Sequence, residues 1–90
     1  MSNNFDKKIK KNSKNFTLNS ATIGKSYKIV QCLLHGEIKT RLFEMGLTPN
    51  TVVRVQKRAP TGDPLEIFVR GYSLCIRGKD AAKFVVEEVF

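Results

Sequence analysis

The chain predicts an all-β fold: a small, strongly bent barrel of five short strands, with one helix of about ten residues and one or two short helical turns. Three observations lead there. Leu65, Ile67 and Val69 alternate with Glu66, Phe68 and Arg70, the period of a half-buried strand. Other short β-branched runs recur between Gly, Pro and Asp turn signals. Length closes the choice, because about 75 residues outside a polar leader bury only roughly 60% of their unfolded surface and support one small core.

Taken in order, residues 1–15 (MSNNFDKKIKKNSKN) are too polar and too rich in lysine to bury anything, and they read as a disordered leader before a folded domain at 16–90. The leader lacks the apolar run of a signal peptide, and no stretch approaches the roughly 18 apolar residues of a membrane span, so a cytoplasmic protein is expected. From Phe16 the spacing Leu18, Ala21, Gly24 reads as an apolar lead-in, with Ser20 capping a single helical turn before the chain reverses at Gly24. Tyr27 to Leu34 is the first strand. Ile29 and Cys32 stand at an odd spacing that a strict pleat would send to opposite faces, which predicts a bulge.

His35-Gly36 ends that strand and a helix follows over 37–45, where Ile38, Leu42 and Met45 share one face. Glu37 and Arg41 stand at i, i+4 in the favourable order, worth about 0.2–0.5 kcal/mol. Gly46 takes the left-handed residue that ends a helix and Pro49 prevents its continuation, so a strand begins by Thr51 and runs to Arg58. Ala59-Pro60-Thr61-Gly62-Asp63-Pro64 enforces a loop. Leu65 to Arg70 is the next strand, Gly71-Tyr72 a tight connection, and Leu74 with Ile76 a fourth strand ending at Arg77. Asp80 to Lys83 makes one helical turn with its acid near the positive end, and Phe84 to Val89 closes the sheet.

Composition excludes several functions. Lys and Arg total 16 against eight acids, a net charge of +8, but Lys7, Lys8, Lys10, Lys11 and Lys14 less Asp6 carry half of it, which weakens a nucleic-acid reading for the folded part. His35 is the sole histidine, so multi-histidine metal sites and acid–base arrangements lack their usual members, and neither catalytic residue, metal nor cofactor is assigned. Cys32 and Cys75 read as small core hydrophobes among Leu33, Leu34, Leu74 and Ile76, without the CxxC spacing of a structural zinc site. Gly62-Asp63-Pro64 lacks the lysine and hydroxyl of a phosphate loop and reads as a turn. Arg41, Arg70 and Arg77 lie beside apolar positions, either as surface cations with their stems on the barrel or as contacts to acids on a partner. Phe68 and Tyr72 are expected to point outward as an aromatic pair of the kind interfaces enrich.

The run RLFEMGLTPN, then APTGDPLEIFVRG, then LCIR with a closing short helix and strand, resembles the FeoA family. The ordered set is Arg41-Leu42, Gly46-Leu47, Pro49, Gly62-Asp63-Pro64 and Arg70-Gly71. The resemblance implies an SH3-like barrel and a small cytosolic accessory protein that binds the FeoB ferrous iron transporter, supports or regulates Fe(II) uptake and catalyses nothing itself. Two departures stand out: Pro49-Asn50 where the family usually has Pro-Gly, and Leu18, Ala21, Gly24 where it has a second leucine in place of Ala21. Asn tolerates the left-handed conformation, so the turn survives, while Ala21 leaves the lead-in less well packed. The competing class is a nucleic-acid-binding small barrel, recognised by a steep salt dependence of binding. The five leader lysines read either as a solvated tail or as a weak contact with the anionic inner face of the cell membrane. Exposed barrel edges make self-association a further expectation.

Overall fold

The computed structural model describes residues 15–89, and the expected leader lies outside the described residues except for Asn15. The elements are β1 (Asn15–Thr17), a 3-10 turn (Leu18–Ser20), β2 (Ser26–Cys32), α1 (Gly36–Glu44), β3 (Val52–Arg58), β4 (Leu65–Val69), β5 (Tyr72–Ile76), α2 (Gly78–Ala81) and β6 (Phe84–Val89). They form one antiparallel sheet in the order β1-β6-β2-β3-β4-β5.

Among the described residues the sheet thus has six strands where five were expected. The addition is β1, whose Phe16 lies opposite Val86 of the last strand. Three residues are too few to show a period, and their pairing partner is supplied only when the chain's far end returns. Beyond it, Leu18 is fully buried and Ala21 nearly so, which makes the lead-in a part of the core rather than a loosely packed approach to it. Ser20 does not cap its turn; its hydroxyl donates back to the Thr17 carbonyl at 2.9 Å. Arg58 holds the segment from across the sheet, with Nη1 donating to Asn19 O at 3.0 Å and Nη2 to Ala21 O at 2.6 Å. The Tyr27 hydroxyl accepts the Thr22 N–H at 2.9 Å.

Bending comes from two register shifts. One lies between Ile29 and Gln31 in β2, where the odd spacing predicts it, and the other between Val55 and Lys57 in β3, where the sequence carries no warning. Each extra residue increases the local twist and turns the strand, so the sheet curls around one interior. Phe84, Leu18, Ile29, Leu47, Leu65 and Ile67 are the largest side chains sealed there. Truncating a ring such as Phe84 to alanine in a core of this kind costs about 3–5 kcal/mol.

Helix α1 ends as expected, by a Schellman motif. The Leu47 N–H donates to Leu42 O at 3.0 Å and the Gly46 N–H to Phe43 O at 3.0 Å, with Gly46 at φ +108°. Leu42 and Leu47 are both buried, giving the apolar contact that accompanies the motif. The following turn holds Asn50 at φ +75°, so the residue standing where glycine was expected adopts the left-handed conformation. Glu37 and Arg41, by contrast, form no ion pair: among the described residues the pairs are Lys25–Glu88, Lys28–Glu87 and Lys57–Glu66.

Candidate partner interface

The expected contact residues divide between two places. Arg70 and Gly71 are the central residues of the β4–β5 turn, both at positive φ, +49° and +89°, as the twist of a two-residue hairpin requires. This turn reaches the end of α1. The Arg70 stem lies against Gly46, so close that an added Cβ there would sit 2.8 Å from its Cδ. Its Nη2 donates to Thr51 Oγ1 at 3.3 Å, and Thr51 Oγ1 is itself 2.9 Å from Thr48 Oγ1. The Tyr72 hydroxyl donates to the Met45 carbonyl, one of the acceptors left over at a helix C-terminus. Arg70 and Tyr72 therefore join the hairpin to the helix end, a job that spacing alone does not reveal.

Phe68 lies elsewhere. It is opposite Arg54 on β3 and Ser73 on β5, whereas Tyr72 is opposite Val69, which is buried. Residues directly opposite share a face, so Phe68 and Tyr72 occupy opposite faces of the sheet. Both are about two-fifths exposed, at 40% and 42%, but the expected aromatic pair does not exist. The alternation holds through Val69; the two-residue turn at Arg70-Gly71 then sends Tyr72 to the face of Val69.

The outer face carries Ser26, Arg54, Phe68 and Ser73 in one row and Lys57, Glu66 and Cys75 in another. Ser73 Oγ donates to Gln56 Oε1 at 3.0 Å, and a shallow cleft of about 410 Å³ lies among Gly24, Arg54, Gln56 and Phe68. Lys25, Lys28 and Lys57 are within 3.1, 3.5 and 4.0 Å of a glutamate, and Arg54 lies directly opposite Phe68. Arg41 is exposed on α1, and Arg77 is exposed where β5 gives way to α2.

Asp63 has a structural task. Its Oδ1 accepts the Gly78 N–H at 2.7 Å, capping α2 from a loop far away in sequence. Gly62 takes φ +93°, and Thr61 Oγ1 donates to the Asp63 carbonyl at 3.0 Å, so the Gly62-Asp63-Pro64 run is the turn that its composition predicts. Cys75 corrects the core reading. It is exposed, because it falls on the outer row with Glu66, while Cys32 is half-buried against the core. His35 is exposed at the start of α1, and among the described residues no three of His, Cys, Asp and Glu come together as a metal site. No helix among the described residues is long and apolar enough to cross a membrane.

Comparison with known proteins agrees with this architecture. The family model described as the FeoA domain matches residues 16–88. A FeoA-like protein from Clostridium acetobutylicum is similar at a TM-score of 0.78 and 28% identity, over 87% of this chain and 91% of that one. FeoA of Stenotrophomonas maltophilia, solved as a complex with zinc and described as a prokaryotic SH3 domain protein, is similar at 0.68 and 28% identity, over 79% and 88%. A manganese-dependent transcriptional repressor shares the fold at 0.74 with 13% identity, over 86% of this chain and 43% of its own. On a match spanning nearly all the described residues, with the glycine, proline and aspartate turns where the fold needs them, the chain belongs to the FeoA family, which is associated with ferrous iron transport, and its sheet is SH3-like.

Proposed function

We propose that this chain is a non-catalytic accessory protein of ferrous iron transport that acts in the cytoplasm by binding the cytoplasmic part of a FeoB-type transporter. The family match over residues 16–88 is the observation that carries the reading. Its chemistry is that of an adaptor. Phe68, Arg41 and Arg77 are exposed and offer the aromatic and guanidinium groups that interfaces enrich, while Arg70 and Tyr72 contribute by holding the end of α1 in place. Fe(II) is cargo of the transporter in this reading, and the chain supplies contacts to the protein that carries it.

A nucleic-acid role is less well supported, because Lys25, Lys28 and Lys57 each lie beside a glutamate and do not form a free cationic stripe. Calorimetric titration of the full chain into the transporter's soluble cytoplasmic fragment tests the proposal. Saturable binding with a shallow salt dependence is expected. No heat with the fragment, together with binding to a nucleic acid whose log K falls by about 0.9 per phosphate contact against log salt, would replace this reading by the other.

A further inference from the structure

β5 ends the strand order, so among the described residues one of its edges carries no neighbour. Its hairpin closes on the pair Val69–Tyr72, and a two-residue hairpin closes on a hydrogen-bonded pair. Bonded and non-bonded pairs then alternate. Tyr72, Leu74 and Ile76 accordingly direct their backbone groups to β4, and Ser73 and Cys75 direct theirs to the free edge. Both of these residues are exposed. The strand Tyr-Ser-Leu-Cys-Ile contains neither charge nor proline, the devices by which proteins guard such an edge.

A second observation adjoins the first. A cleft of about 260 Å³ opens at Cys75, walled by Ala59, Pro60 and Pro64 and bordered by Lys57 and Glu66. Cys75, Glu66 and Lys57 form one outward row, so a strand added to β5 sets one side chain on that face, opposite Cys75 and in line with the cleft.

We infer that the free edge of β5 takes an extended segment of a partner protein as a seventh strand, bonded at the backbone of Ser73 and Cys75, with an apolar side chain seated in the Pro60–Pro64 cleft. The inference rests on the reading of the chain as an adaptor and names the element that does the binding. A second copy of the chain fits less well. In antiparallel self-pairing the ladder allows only Gly71, Ser73, Cys75 or Arg77 opposite Cys75, and none of these fills an apolar cleft. A foreign strand with a branched aliphatic or phenyl group at that position satisfies edge and cleft together.

Amide exchange and binding with the full chain test this. In the free protein the Ser73 and Cys75 amides exchange faster than those of Tyr72 and Leu74, and saturation with the transporter's cytoplasmic fragment slows them. Ser73→Pro removes an edge donor without touching the β4 ladder, and Cys75→Arg puts a charge at the cleft; each weakens binding by about tenfold or more, or 1.4 kcal/mol. Having two variants keeps the test valid if the proline variant fails to fold. A fragment that binds both variants as tightly as the original chain overturns the edge and leaves the adaptor reading intact. A fragment that does not bind the original chain removes the adaptor reading, and panning a random displayed-peptide library then decides: peptides whose capture is lost on both variants support the edge, and a pool indifferent to them overturns it.

Discussion

Gly46→Ala probes the corner where helix, turn and hairpin meet. At φ +108° an L-residue is strained, and holding one there costs about 1–3 kcal/mol. The new Cβ would also lie 2.8 Å from Arg70 Cδ and 3.0 Å from its Nε, closer than real contacts come. The obstacle is a flexible side chain, so the guanidinium moves aside and gives up its 3.3 Å bond to Thr51, a loss near the low end of the usual range at about 0.5–1 kcal/mol. Backbone strain therefore outweighs the lost hydrogen bond. In a domain of this size each kcal/mol lowers Tm by about 4–8 °C. Urea or thermal unfolding of Gly46→Ala, Arg70→Ala and the double variant separates the two contributions. The cost of the alanine should shrink in the Arg70→Ala background and remain substantial. An equal cost in both backgrounds refutes the contact with Arg70, and a cost below about 0.5 kcal/mol refutes the backbone strain.

Three further outcomes are expected. Asp63→Ala removes the acceptor for the Gly78 N–H and lowers stability by about 1 kcal/mol in denaturant unfolding, with Asp63→Asn retaining much of the cap. Arg58→Ala leaves the Asn19 and Ala21 carbonyls without their donor and costs about 1.5–3 kcal/mol, and Arg58→Lys does not restore both bonds because a lysine lacks the fork; full recovery of Tm in the lysine variant would contradict this. For the leader, we propose that Lys7, Lys8, Lys10, Lys11 and Lys14 each contribute about 1 kcal/mol or less at an anionic bilayer, so the full chain co-sediments with anionic liposomes at low salt and a chain starting at Asn15 does not. Equal sedimentation of the two would assign the lysines to solubility alone.

The outer face shows how far reading by pattern reaches. Phe68 is legible as an outward residue because Leu65, Ile67 and Val69 alternate with it, and all three are buried. Cys75 is not, because its apolar neighbours Leu74 and Ile76 say nothing about which parity faces the core; its register against Glu66 does. Asp63 likewise looks like a turn residue and no more, since its partner Gly78 is brought to it by the folding of β4 and β5 between them.

What the sequence determined by itself is the set of features whose causes lie within a few residues. These are the α1 face of Ile38, Leu42 and Met45, its Schellman end at Gly46, the left-handed Asn50, the loop through Pro60 and Pro64, and the alternation of β4. Each rests on a local preference that the fold did not overrule. The tertiary structure decided what depends on bringing distant segments together. It made a strand of Asn15–Thr17 by pairing it with β6, sealed Leu18 in the core, tied the Asn19 and Ala21 carbonyls to Arg58, sent Tyr72 to Met45 and away from Phe68, and left Ser73 and Cys75 on the edge that no other described strand covers. The physical reason is that a backbone conformation is chosen locally by sterics and hydrogen bonding, whereas the neighbour of a strand or the far acceptor of a side chain exists only once the whole chain has closed on its core.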